Sequence, residues 1–184
     1  MSYTQVKFLN AKANCPRSLV VRSLYARKLL EYLKQDFRVL NIDESFLDVC
    51  DFRNRRWARI DESNSQPKHN ISPRLSVISA IDTDGEVYLS LSTVKTRSEE
   101  FCLFMKRLML RLQAQDENWK ARTLFLLDAA MYHRSADTRN YLCNSGAKVV
   151  VGGPYAFSAA PIEHFFSALK AVDLNPNKIK TGKR

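Results

Sequence analysis

The 184-residue chain predicts an α/β domain, a mixed central sheet flanked by helices. In residues 123–127 every position after Thr123 is apolar, as a strand covered on both faces requires. Residues 75–81 and 86–91 alternate as two strands around Asp82-Thr83-Asp84-Gly85, whose Asp-Gly supplies the positive φ a hairpin turn needs. Segments of helical periodicity stand between and beside these strands, the order expected of helices packed on a sheet.

In chain order, residues 17–34 place Val20, Val21, Leu24, Tyr25, Leu29, Tyr32 and Leu33 near helical spacing, with Arg17, Arg22, Arg27, Lys28 and Lys34 largely elsewhere. A basic amphipathic helix is expected there. Residues 37–42 read as a buried strand that ends on Asp43. The stretch from Asp51 to Pro73 is polar, with Arg53, Arg55, Arg56 and Arg59 around Trp57; residues 56–60 read as a short strand and 63–67 as a flexible loop. After the hairpin, Thr96-Arg97-Ser98-Glu99 is a capping box opening a helix with the core stripe Phe101, Phe104, Met105, Leu108 and Leu112. A helix is expected over 135–143, stopped by Asn144-Ser145-Gly146, then a short strand over 149–151 broken by Gly152-Gly153-Pro154. Pro161 suits the first turn of a last helix running to about Val172.

With 45% hydrophobic residues the chain can bury one sizeable core. A formal charge of +10 favours a polyanionic partner, because each phosphate neutralised releases a condensed counterion; on charge alone a merely basic protein fits as well. Cys15, Cys50, Cys102 and Cys143 are scattered without metal-ligand spacing and read as reduced thiols, several of them buried, in an intracellular protein. There is no signal-peptide pattern and no apolar stretch near the roughly 20 residues that span a bilayer, so no membrane association is expected.

Three carboxylates stand out. Asp43 and Asp128 each close an apolar run, at the ends of strands where open α/β sheets place ligands, and Glu163 falls in the first turn of the last helix. Most acidic residues are solvated, but a charge directly after a buried run is costly without a partner. Three carboxylates aimed at one point would hold a divalent metal. Glu44, next on the strand, should point to the opposite face, in a supporting or purely structural role. His133, five positions after Asp128, could orient a water or phosphate oxygen, or serve as a cap or core residue.

Ile42-Asp43-Glu44-Ser45, Leu127-Asp128-Ala129-Ala130-Met131-Tyr132-His133 and Pro154-Tyr155-Ala156-Phe157-Ser158-Ala159-Ala160-Pro161-Ile162-Glu163 resemble the three signature blocks of DDE transposases of the mariner superfamily. That family has 34 residues between its second and third ligands, as lie here between Asp128 and Glu163. The resemblance covers about residues 37–172 and implies a ribonuclease H-like fold. It also implies metal-dependent cleavage of DNA at transposon ends and strand transfer into target DNA. Asp43 would bridge two Mg²⁺ or Mn²⁺ ions about 4 Å apart, with Asp128 and Glu163 holding one each.

The implied partners are double-stranded DNA, both transposon ends and target, bound by a homodimer or larger assembly, with no small-molecule substrate. The DNA-contacting candidates are Arg53, Arg55, Arg56, Arg59, Lys178 and Lys180. The organisation expected is an N-terminal segment with a basic linker helix at 1–36, the catalytic domain at 37–172, and a basic, disordered tail at 173–184. The compartment is the one that holds DNA, the nucleus of a eukaryote or otherwise the cytoplasm.

The chain departs from the family at Ala129, which replaces Asn, and at Phe157, Ser158 and Ala160, which replace Pro, an acidic residue and Asn. Without Asn before Pro161 the last helix lacks a preferred N-cap, typically worth about 1 kcal/mol. These departures suit an alternative reading, a domesticated or decayed transposase domain that binds DNA without cutting it efficiently. Repulsion among three clustered carboxylates predicts that Asp128→Asn leaves stability unchanged or slightly raised.

Overall fold

The computed structural model describes residues 14–47, 59–60, 75–154, 156 and 160–171. Its elements are α1 (Pro16–Lys34), β1 (Arg38–Leu47), β2 (Leu75–Asp82), β3 (Val87–Ser92), α2 (Ser98–Gln115), α3 (Trp119–Arg122), β4 (Thr123–Leu127), α4 (Ala136–Ser145), β5 (Lys148–Val151) and α5 (Pro161–Ala171). The sheet runs β3-β2-β1-β4-β5. β1 is antiparallel to β2 and parallel to β4, and β4 is parallel to β5, so the sheet is mixed as expected.

β1 is longer than its apolar run. The polar triplet Asp43-Glu44-Ser45 reads as a strand end, yet the antiparallel ladder continues through it from Leu40↔Asp82 to Leu47↔Leu75. What stops at Ile42↔Leu127 is the parallel ladder with β4. Asp43 therefore sits mid-strand, at the point where β1 loses one neighbour and keeps the other.

The period-2 alternation of the strands sorts the side chains into two layers. Leu40, Ile42, Ile78, Ala80, Phe125 and Leu127 face Phe101, Phe104, Met105, Leu108 and Leu112 of α2 and Leu142 of α4. On the other face, Val39, Leu124, Leu126 and Val150 pack under Tyr25, Leu29 and Tyr32 of α1, while Leu47 and Val77 pack under Ile162 and Phe166 of α5. Side chains of this size each contribute roughly 1.5–3 kcal/mol when fully buried. Phe101, Phe125, Leu40 and Leu124 are wholly buried.

Local signals hold with shifts of one or two positions. Helix α2 starts at Ser98, and Glu100, not Glu99, accepts the Arg97 N–H at 3.0 Å. Ser135 caps α4 by accepting from the Thr138 N–H at 3.2 Å, and Gly146 ends it at φ 70°. α1 forms as expected, but of its apolar residues Tyr25, Leu29 and Tyr32 pack on the sheet, while Val20, Leu24, Leu30 and Leu33 are exposed. Of the expected strand at 56–60, Arg59 and Ile60 are exposed and belong to no strand. Arg53, Arg55, Arg56, Trp57, Lys178 and Lys180 lie outside the described residues. Among the described thiols, Cys15 and Cys102 are half-buried and Cys143 is exposed, all free, so the core is not where they sit.

Gly153 explains why the break after β5 is made of glycine. A Cβ there would stand 3.1 Å from both Cα and Cγ of Arg22, so α1 can lie against this loop only because no side chain intervenes. Gly153→Val should push α1 off the sheet and destabilise the fold by about 1–3 kcal/mol, the range for overpacking. Urea unfolding checks this, with Gly85→Ala, which meets no atom within 4 Å, isolating the strain of a positive-φ turn from the clash.

Candidate active site

Asp43 and Asp128 each stand one residue beyond the last parallel pair, Ile42↔Leu127, which brings them to the same end of adjacent strands. α5 lies across that end with Ile162 fully buried, and Glu163 follows in its first turn. All three carboxylates line one cleft of about 320 Å³, together with Tyr25, Asn41, Ala129, Gly152, Gly153 and Pro154. Among the described residues no Lys or Arg lines this cleft. Nor are any three carboxylate, His or Cys side chains among them already grouped tightly enough to hold an ion.

The carboxylates have different environments. Burial pushes Asp43 up to about 7; its bond from the Glu44 N–H at 2.8 Å opposes this, and the charges of Glu44, Asp128 and Glu163 add to it. Asp128 moves the other way. Burial would raise it, but His133 and the Ala130 N–H, both bonded to its Oδ1 at 2.7 and 2.9 Å, hold it below the usual carboxylate range. The Ala130 bond is an Asx-type turn that starts the tight reversal over 130–134 and swings His133 back beneath Asp128.

Glu44 points to the α2 face, opposite Asp43, as the alternation requires. Its Oε1 lies 3.1 Å from His133 Nε2, and its Oε2 accepts the Tyr132 hydroxyl. The His133 side chain is fully buried and the Glu44 side chain 3% exposed. The imidazole ring stands 4.3 Å from the Phe101 ring centroid. Burial opposes a charge on His133, yet the hydrogen bonds to Asp128 and Glu44 and their charges outweigh it, raising its pKa to about 9. An imidazolium donating to both carboxylates satisfies the whole chain Tyr132–Glu44–His133–Asp128.

The structure thus brings Asp43, Asp128, Glu163, Glu44 and His133 into one neighbourhood and leaves Arg59 exposed outside the cleft lining. Tyr132 and Asn41 escaped the sequence reading. A buried Asn inside an apolar strand was a usable signal, because such a group must find partners.

The profile of the DDE superfamily endonucleases matches residues 38–184. This chain is a DDE superfamily endonuclease domain. Among solved structures, the Mos1 mariner paired-end complex with Mn is similar to this DDE domain at a TM-score of 0.71 and 17% identity, over 98% of this chain and 56% of that one. A pre-cleavage Mos1 transpososome gives 0.72 and 16%, over 97% and 56%. The Mos1 transposase catalytic domain with raltegravir and Mg gives 0.65 and 18%, over 91% and 77%. At such identities the likeness is one of fold, a ribonuclease H-like mixed sheet flanked by helices. The DDE domain spans a little over half the length of the chains in the paired-end and pre-cleavage complexes. No curated protein matches it.

The pKa directions fix how the metal-free DDE domain responds to pH. His133, raised from 6.5 to about 9, contributes stability that is full below 6.5 and lost as pH rises through about 9. Asp43, raised from 3.8 to about 7, acts in the same sense: relative to an ordinary carboxylate, its contribution is lost as pH rises through about 7. Melting temperatures in chelator should therefore fall between pH 5 and 9. Asp43→Asn should melt higher than wild type at pH 8. His133→Gln should lose about 3 kcal/mol by leaving Glu44 buried without its partner, and should flatten the upper part of the profile. Asp128→Asn, expected neutral on repulsion alone, should destabilise, because it removes the charged acceptor of His133. A flat wild-type profile would contradict these assignments.

Proposed function

We propose that this domain is the catalytic domain of a transposase, which cuts DNA at the ends of a mobile element and joins the freed 3′ ends to target DNA with the help of Mg²⁺ or Mn²⁺. The observation that carries the reading is the chemistry of the cleft. Three carboxylates from three elements face it without a lining cation, in a chain whose net charge is +10. Hard carboxylate oxygens suit Mg²⁺ and Mn²⁺, and the burial and, after it, the like charges that raise Asp43 to about 7 would be offset by a divalent cation. In this reading Asp43, Asp128 and Glu163 would hold the divalent ions. Bound there, divalent ions would activate a water and stabilise the charge on the leaving oxygen in phosphodiester cleavage.

The chain's own residues prepare the site. Both bonds to Asp128 fall on Oδ1, so Oδ2 is left to ligate. His133 and Glu44 fix the orientation of that carboxylate from behind, and Tyr132 fixes Glu44. Such supporting bonds typically carry 10–100-fold in metal affinity or activity. Arg53, Arg55, Arg56, Arg59, Lys178 and Lys180 neutralise DNA phosphates in this reading, with two or more copies on the DNA. Mos1 transposase has been solved in a paired-end complex with its left transposon end and in a strand-transfer complex, which supports DNA as partner. Residues 37–172 form the catalytic unit, flanked by the linker segment at 1–36 and a basic tail at 173–184. The domain works where DNA is held, in a nucleus or otherwise the cytoplasm; no helix among the described residues is long and apolar enough to cross a membrane.

The test is a supercoiled plasmid incubated with protein and Mn²⁺, with and without chelator. Chelator-sensitive nicking that Asp128→Asn abolishes is the expected result. Duplex binding should remain in that variant and weaken with salt, each phosphate contact contributing about −0.9 to the log–log slope. A mobility shift without nicking in the wild type would instead assign a DNA-binding module that no longer cuts.

A further inference from the structure

Helix α5 begins without a capping side chain of its own. Ala160 has no side-chain acceptor, Pro161 has no N–H, and the Glu163 N–H is taken by the Ala160 carbonyl at 3.2 Å. The orphan is the Ile162 N–H, which a polar residue at position 160 would ordinarily satisfy. Here Asn41 satisfies it from another element: its Oδ1 accepts the Ile162 N–H at 3.1 Å, while its Nδ2 donates to the Leu126 carbonyl at 3.4 Å.

The positions of those three residues matter. Asn41 lies two residues before Asp43 on the same face of β1. Leu126 lies two residues before Asp128, and Ile162 immediately precedes Glu163. One buried amide, 6% exposed, thus joins the three chain segments that carry the three carboxylates. A polar group in this apolar run is costly unless bonded, and both of its bonds go to those segments.

We infer that Asn41 is a positioning residue that sets the separation of Glu163 from Asp43 and Asp128 by capping α5 from β1. The inference rests on the reading of the cleft as a metal site. Asn41 touches neither metal nor DNA; it acts through the segments it ties.

The experiment compares wild type, N41A, N41A/A160N, E163Q and N41A/E163Q, all held well below their melting temperatures. Mn²⁺ affinity is measured by titration calorimetry, and exchange of the Ile162 amide by hydrogen–deuterium exchange. N41A should weaken Mn²⁺ binding about tenfold and speed exchange at Ile162. Asn at position 160 restores a cap to the same N–H in cis, so N41A/A160N should recover affinity to within about threefold of wild type. Once Glu163 is already lost as a ligand, N41A should change affinity little further. The rescued double variant stands in for N41A if the single variant does not fold.

Three results would overturn the inference. One is wild-type affinity in N41A despite faster Ile162 exchange; another is a loss that N41A/A160N does not recover. The third is an equal loss with and without Glu163, which marks a general structural effect. A wild type that binds no Mn²⁺ overturns the metal reading itself and this inference with it, and faster Ile162 exchange in N41A would then identify the contact as a helix cap alone.

Discussion

The parallel ladder between β1 and β4 ends at Ile42 and Leu127, and the features of the cleft follow from where it stops. Up to that point both strands are buried on two faces and almost wholly apolar. Beyond it, β1 continues beside β2 alone and β4 gives way to a turn, so a gap opens that polar side chains can enter. Asp43 and Asp128 are the first residues past the ladder on each strand. Because a strand alternates, Asp43 faces the gap while Glu44 passes to the helix-covered side. One dipeptide thereby supplies both a cleft carboxylate and the anchor behind its neighbour. The apparent strand end at Asp-Glu-Ser is the place where the sheet changes from doubly to singly flanked.

The same arrangement explains how so much acidity is tolerated at one end of a sheet. Among the described residues one ionisable side chain of opposite sign bonds the acidic set, the interior imidazolium of His133, held between Glu44 and Asp128. It sits behind the cleft, against Phe101, so it compensates charge without occupying the space a ligand would use. The result is a division of labour: Asp128 is a settled anion with a fixed orientation, whereas Asp43 is held near neutrality's midpoint and is sensitive to any cation that arrives.

Much of this was legible in the chain. The apolar runs ending on Asp43 and Asp128 and the Pro161 helix start located the three carboxylates, and alternation alone sent Glu44 to the other side. What escaped depends on contacts remote in sequence. Asn41 and Ile162 are 121 positions apart, and no local periodicity signals that a strand amide will cap a helix from there. Tyr132 stood in the second signature block without a role, and its hydroxyl meets Glu44, 88 positions away. For α1, the amphipathic pattern predicted the helix but not which stripe packs, since several apolar positions compete and it is Tyr25, Leu29 and Tyr32 that meet Val39, Leu124, Leu126 and Val150 of the sheet. The loss of Asn at 160 looked like a defect in local terms, and its remedy lay in another strand.

The close approach of Arg22 to Gly153 gives the long first helix a mechanical meaning. α1 is a rod of 19 residues, about 28 Å at the usual rise. It touches the cleft through Tyr25 and bears directly on the loop from which the chain proceeds to Glu163. No Gly153 side chain separates the two, so the backbone and Cγ of Arg22 stand directly over that loop. The rod and the cleft loop thus share one seat at Gly153, so the way α1 lies on the sheet is set at the edge of the cleft.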